Sequence, residues 1–293
     1  LMPGFLYTYT VFQKEFQTPI MNDQDEGSMD RLRRMVHPFI LRRLKKDVLK
    51  ELPEKLEETV LVKLEKEQKQ LYDAYAARLR QSLAQKSAAA FRSQKLEVLA
   101  ELTRLRQLCC DPSLLMENYH GGSAKLDACL ELVGQAVEGG HKVLLFSQFT
   151  SMLDIICQRL TQAGHAYYRI DGSVSKEKRM EMVDSFAYDE VPVFCISLKA
   201  GGTGLNLTAA DIVIHYDPWW NQAAQNQATD RAHRIGQQHS VSVYELIAGD
   251  TIEEQIQNIK QDKAQLMEDV LSGERIASSS LKREELLQLL EEI

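Results

Sequence analysis

From Ser123 onward the chain alternates between two hydrophobic periods. Stretches with apolar residues every three or four positions, at 124–138, 150–163 and 175–186, are each followed by a short apolar run, at 142–147, 166–170 and 191–197. Two further runs, DIVIHY at 211–216 and VSVYELI at 241–247, complete the set. The first period predicts helices covered on one face, and the second predicts buried strands. Ser123 is placed to cap the first helix, and Gly139-Gly140 and Gly164 to end helices. Short apolar strands alternating with helices predict an α/β fold, a doubly wound, mostly parallel sheet flanked by helices. Ligands of such sheets sit at the carboxyl ends of the strands. Four loops fall there: Ser147-Gln148-Phe149, Asp171-Gly172-Ser173, Lys199–Gly204 and Asp217-Pro218-Trp219-Trp220-Asn221.

The flanks read differently. Residues 65–108, heavy in Ala, Leu, Gln, Lys and Arg, predict two antiparallel helices with a bend near Ser87–Ala90. Asp111-Pro112 stops them, and Gly121-Gly122 marks the boundary to the α/β region. Residues 52–64 read as a strand, and Asn22–Ser28 (NDQDEGS) as a polar, acidic loop. Between Arg31 and Lys50, eight basic residues face one acid, Asp47, among interleaved apolar positions. That pattern is an amphipathic basic helix, or two broken near Pro38. Past Asp250 an amphipathic helix opens with Thr251 and Glu254 at capping-box spacing. Ser272–Ser280 reads as a flexible link and Leu281–Ile293 as a last short helix.

Composition narrows the class. The apolar fraction of 44% is that of an ordinary globular protein, and no apolar run approaches the ~20 residues of a membrane helix. Five cysteines, two of them adjacent at Cys109-Cys110, show neither CxxC pairs nor metal-ligand spacing, so reduced, mostly buried thiols are expected, as in an intracellular protein. The net charge is −7, from 35 basic and 42 acidic residues. Any nucleic-acid binding must therefore come from a local patch rather than from the overall field.

Two segments carry chemistry. Gln227–Gln237 reads QATDRAHRIGQ, and a helical reading puts Arg231, Arg234 and Gln227 on one face. Guanidinium groups bind phosphate oxygens through paired hydrogen bonds and stay charged at any working pH. The same face also suits a plain solvated helix with an Asp230–Arg234 ion pair. Upstream, the strand Val193–Ser197 runs into Lys199-Ala-Gly-Gly-Thr-Gly204 and then Leu205-Asn206-Leu207. Such a glycine-rich loop lets backbone N–H groups approach an anion, although its spacing is neither GxGxxG nor Walker A, and a tight turn without a ligand would read the same.

Together with HPFILRRLKKDVLKELPEK (37–55), VLLFSQFTSML (143–153), YYRIDGS (167–173) and ISLKAGGTGLNLTAADIVIHYDPWWN (196–221), these segments resemble, in order, the second RecA-like lobe of the Swi/Snf-type DNA-dependent ATPases, within the superfamily-two helicases. The family commonly has proline after the WN pair, where this chain has Gln222. The resemblance implies that Arg231 and Arg234 are arginine fingers and that Gly204, Asn206 and Gln227 face the nucleotide. It places Gln148, Phe149, Gly172, Ser173, Lys199, Thr203, Arg42 and Arg43 on the DNA side, with Arg42 and Arg43 equally able to brace the two lobes. Trp219 and Trp220 read as loop anchors, and His215 and His233 as non-catalytic.

No GxxxxGK[ST] and no DE-x-H box occurs in the chain, so the resemblance implies that ATP and Mg²⁺ are held mainly by the N-terminal ATPase lobe of the same protein. The expected organisation is a first-lobe tail, basic protrusion helix and inter-lobe strand at 1–64, a helical protrusion at 65–120, the RecA-like lobe at 121–250, and a bracing helix with a tail at 251–293. The implied partners are double-stranded DNA and, as remodelling target, a DNA-bound protein or RNA polymerase, with no membrane. A bacterial nucleoid enzyme is expected, a nuclear one being the alternative. A non-catalytic nucleic-acid-binding module and a strand-separating DNA or RNA helicase are the competing functional readings.

Overall fold

The computed structural model describes residues 4–22, 25–39, 52–85, 95–198, 204–219 and 222–258. They form two units, one within Leu1–Lys50 and the other within Glu51–Gln257. The first holds short helices: α1 (Tyr9–Phe12), a π-helical turn at Gln13–Gln17, α2 (Thr18–Asn22) and α3 (Glu26–Val36), closed by a 3₁₀ turn at His37–Phe39. The buried Phe16 ring stacks on Tyr7, meets Phe12 at a tilt of 41° and lies under the Arg31 guanidinium, 4.7 Å from its carbon. The acidic loop expected at Asn22–Ser28 is therefore shorter: helix α2 reaches Asn22, and α3 begins at Glu26, where the Asp25 carboxylate accepts from Ser28 N at 2.9 Å. An Asx cap converts the polar stretch into a helix start. The basic stretch is helical to Val36 and turns at Pro38, and its remainder lies outside the described residues.

Among the described residues the second unit is built on six parallel strands: β1 (Lys55–Val62), β2 (Val143–Ser147), β3 (Tyr167–Ile170), β4 (Val193–Ser197), β5 (Ile212–His215) and β6 (Val241–Ala248). Their order is β1-β6-β5-β2-β4-β3. Alternation within the central strands shows why both faces are covered. Val143 and Leu145 of β2, with Val193 and Cys195 of β4, pack with Leu126, Cys129, Val133, Ile156 and Leu160 from α6 (Ala124–Glu138) and α7 (Thr150–Gln162). Leu144, Phe146, Phe194 and Ile196 face the other way, toward Phe186 of α8 (Lys176–Tyr188) and Ala228 of α9 (Gln222–Thr229). This is a RecA-like sheet with two cores. The strand read at 52–64 is an outer strand of this sheet, in register with β6 from Lys55↔Val241 to Val62↔Ala248.

Residues 65–110 supply α4 (Lys66–Gln85) and α5 (Lys95–Cys110). Tyr72, Ala76, Leu79 and Leu83 are buried at helical spacing, as are Val98, Leu102, Leu105 and Leu108. Gln68, near the start of α4, donates through Nε2 to Leu108 O at 2.8 Å near the end of α5, so the pair runs antiparallel. Ser123 caps α6 by accepting from Leu126 N, and Gly164 takes φ +79 after α7, a conformation that favours glycine. The helix after β6, α10, covers residues 252–258. Its cap is offset from the expected box: Thr251 Oγ accepts from Glu253 N at 3.1 Å, while Glu254 accepts from Asp250 N at 2.7 Å. The five cysteines are buried free thiols; burial pushes Cys129 up to about 12.

Candidate functional site

Because every strand runs the same way, the loops after β2, β3, β4 and β5 share one edge of the sheet. The loop after β3 is held from within. Ser173 donates from N and Oγ to Asp171 Oδ1, at 2.9 and 2.6 Å, and Arg179 donates to Val174 O and Asp171 O, both at 2.9 Å. The bonds from Ser173, aided by the nearby Arg169, hold the Asp171 carboxyl below its usual range. Gly172 and Ser173 are left exposed at the tip. Across a cleft of about 610 Å³ from Val174, Lys176, Arg179 and Met180 lie Gly204, Leu205 and Asn206. Gly204 and Asn206 are exposed, whereas Leu207 is buried in the core.

Helix α9 ends at Thr229, and residues 230–236 form turns. The single helical face expected for Gln227, Arg231 and Arg234 is therefore not formed. Gln227 is exposed on the helix, and both arginines lie beyond its end. Three features fix this turn. Leu207 N donates to Arg231 O at 3.0 Å, which fastens the loop after β4 to the arginine segment. Gly236 adopts φ +104. The buried Gln237 donates to Ala210 O and Ala232 O and accepts from Gln238 N and His239 N. Arg231 is 4% exposed and Arg234 is at the surface. Burial, and then the nearby Arg234 charge, lower the Arg231 pKa from its ordinary value. A desolvated guanidinium beside a second positive charge is stabilised by an incoming anion.

The two histidines make structural bonds. His233 Nε2 donates to Pro53 O at 2.8 Å, and His215 Nε2 meets Thr229 Oγ at 2.9 Å while stacking on Phe146. Trp219 packs against the core. Lys199, Thr203, Arg42 and Arg43 lie outside the described residues, as do Trp220 and Asn221.

Gln148 and Phe149 are turned toward the interior, around a group that sequence reasoning missed. Arg106 of α5, 4% exposed, donates from Nη1 to Gln148 Oε1 at 3.0 Å and from Nη2 to Pro218 O. Its guanidinium stands 4.0 Å from the Asp217 carboxylate and 5.7 Å from the centre of the Phe149 ring. Asp217, fully buried, accepts from Ser147 Oγ at 2.5 Å and from Gln148 N at 3.2 Å. The signal in the sequence is an arginine inside the otherwise apolar face of LTRLRQLCC. Among the described residues, no cluster of three or more His, Cys, Asp or Glu side chains is arranged to hold a metal, and no helix is long and apolar enough to cross a membrane.

Comparison with known proteins agrees with this fold. Residues 1–114 match the model of the SNF2-related domain, and residues 124–236 match that of the helicase conserved C-terminal domain. A Bacillus subtilis protein named as an ATP-dependent helicase/translocase is 38% identical over 92% of this chain. The mouse SWI/SNF-related regulator of chromatin subfamily A member 1 is 36% identical over 91%. The chain spans only 30% and 27% of the lengths of those relatives. The Sulfolobus solfataricus SWI2/SNF2 ATPase core in complex with dsDNA superimposes with a TM-score of 0.65 at 33% identity, covering 93% of this chain and 58% of that one. The isolated C-terminal domain of the Sulfolobus ATPase gives 0.66 at 29% identity, covering 82% of this chain and 100% of that one. With two family models matched in succession on a parallel RecA-like sheet, the chain belongs to the Swi/Snf-type family of helicase-like ATPases.

Proposed function

We propose that this chain is the C-terminal motor lobe of an ATP-dependent translocase or remodeller acting on double-stranded DNA, and that it supplies arginine fingers to a nucleotide held mainly by a partner lobe. The observation that carries the reading is the bond from Leu207 N to Arg231 O, which joins the loop of Gly204 and Asn206 to the turn of Arg231 and Arg234. Two segments read separately as nucleotide-facing are thus one mechanical piece. The turn suits a phosphate, since Arg231 is desolvated and stands near a like charge that an anion would offset.

In this reading, ATP supplies the phosphoryl group, and Mg²⁺ is held by the lobe that carries the Walker A and DE-x-H motifs. Arg234, at the surface, and Arg231, held by the core beside it, both act on the developing charge on the γ-phosphoryl group when the lobes close. Gly204, Asn206 and Gln227 line the nucleotide side. DNA runs along the rim of Gly172, Ser173, Lys199 and Thr203, with Gln148 and Phe149 setting the loop beneath; Arg42 and Arg43 are further candidates for contacts to the DNA backbone. These contacts address phosphates, so they fix position without reading sequence.

The test compares residues 1–293 with the full-length protein in steady-state ATPase and strand-separation assays. The reading expects duplex-stimulated hydrolysis by the full-length protein only, without strand separation. Hydrolysis by residues 1–293 that is abolished by Arg234→Ala, or unwinding of a DNA or RNA duplex by the full-length protein, would overturn it.

A further inference from the structure

Arg106 belongs to α5, a helix outside the six-stranded sheet, yet its guanidinium lies under two rim loops. One prong meets Gln148 Oε1 after β2 and another meets Pro218 O after β5. The plane lies beside the Asp217 carboxylate and the Phe149 ring. Asp217 in turn holds Ser147 Oγ and Gln148 N. Strands β2 and β5 are neighbours in register from Val143↔Ile212 to Phe146↔His215, so these loops leave the sheet side by side. A planar, several-donor guanidinium bonds a side-chain amide on one loop and a backbone carbonyl on the other while standing 4.0 Å from a carboxylate; an ammonium on a flexible stem lacks that fork and does not bridge both loops in the same geometry.

We infer that Arg106 is a positioning residue for DNA engagement: it fixes the spacing of the 147–149 and 217–218 loops from the helical pair, and thereby sets the rim on which the duplex rests. The inference depends on the proposed function only in taking that rim as the DNA side. Arg106 touches neither nucleotide nor DNA. Its loss should weaken the response to DNA while leaving turnover at saturating DNA near normal, because the arginine turn at 231–234 is fastened separately through Leu207 and Gln237.

The experiment uses the full-length protein with Arg106→Lys and Arg106→Met, reading kcat, the duplex concentration for half-maximal ATPase stimulation, and the thermal midpoint. Folded Arg106→Lys should need about three- to tenfold more duplex, the worth of one lost hydrogen bond, and Arg106→Met, which loses both bonds, at least as much, with kcat within about twofold of wild type in each. Lysine should rescue the midpoint more than the duplex requirement. An unchanged duplex requirement, a fall in kcat alone, or failure of both variants to fold would make Arg106 a stability element and end the inference. Should the wild-type protein show no duplex stimulation, the proposed function falls instead. If it is stimulated and loses turnover in Arg234→Ala while the Arg106 variants match it, that function stands and only the inference falls.

Discussion

Replacing Lys125 by Met tests the packing logic of the second unit. Lys125 and Glu253 are both 0% exposed, with Nζ 2.5 Å from Oε2, and they join the start of α6 to α10. Glu253 Oε2 also accepts from Ala248 N at 2.9 Å, while its Oε1 has no partner among the described residues. Removing the ammonium leaves a buried carboxylate with a single backbone donor. The cost of breaking such a pair is about 3–5 kcal/mol. For a unit spanning Glu51–Gln257 that lowers the thermal midpoint by about 6–20 °C. Lys125→Met with Glu253→Gln should recover part of the loss, because the second change removes the stranded charge and keeps an acceptor for Ala248 N. The pH dependence has a definite sign. Burial raises the Glu253 pKa above its ordinary 4.5, and Lys125 opposes that rise. Without Lys125 the folded state favours the protonated acid, so the deficit is smallest below about pH 4.5 and grows as pH rises toward neutrality. Thermal melts of the three variants between pH 4.5 and 8 measure this. A fall under about 3 °C at pH 7, less than breaking a buried pair costs, or a double variant no more stable than the single one, would refute the reasoning.

Two further outcomes follow from the rim and the turn. Duplex binding by residues 1–293, titrated with a fluorescent duplex at several salt concentrations, should be weak, indifferent to sequence and steeply weakened by salt; strong sequence preference or salt-independent affinity would contradict phosphate-only contacts. Gln237→Ala removes four hydrogen bonds to Ala210, Ala232, Gln238 and His239. It should destabilise the chain by about 1–3 kcal/mol in urea unfolding and reduce turnover in the full-length protein; an unchanged midpoint would show that the turn does not depend on it.

The sheet was legible because its signal is local. Four-residue and five-residue apolar runs between helical periods mark strands whatever they pair with, and Ser123 and Gly164 punctuate helices by their own chemistry. The arginine segment was not legible in shape. Spacing of three suits a helix and a series of turns alike, and the choice was made by partners far along the chain, Leu207 and Ala210. Arg106 shows the same limit. Its acceptors lie 42 and 112 residues away, so its sequence neighbourhood reveals only a charge where the core should be. The cap of α10 was misplaced by one position because Thr251 Oγ donates to Ala248 O at 2.6 Å, which turns its acceptor side toward Glu253 N.

The most direct test of the central claim is the DNA-stimulated ATPase of the full-length protein carrying Arg231→Ala or Arg234→Ala, measured at saturating duplex. A finger interacts mainly with charge formed in the transition state, so each change should lower kcat by about 10³-fold or more while duplex affinity stays nearly intact. Lysine should not restore activity, since it keeps the charge but loses the planar fork. If both alanine variants kept more than about a tenth of wild-type kcat, a loss too small for a finger, the assignment of Arg231 and Arg234 would be wrong.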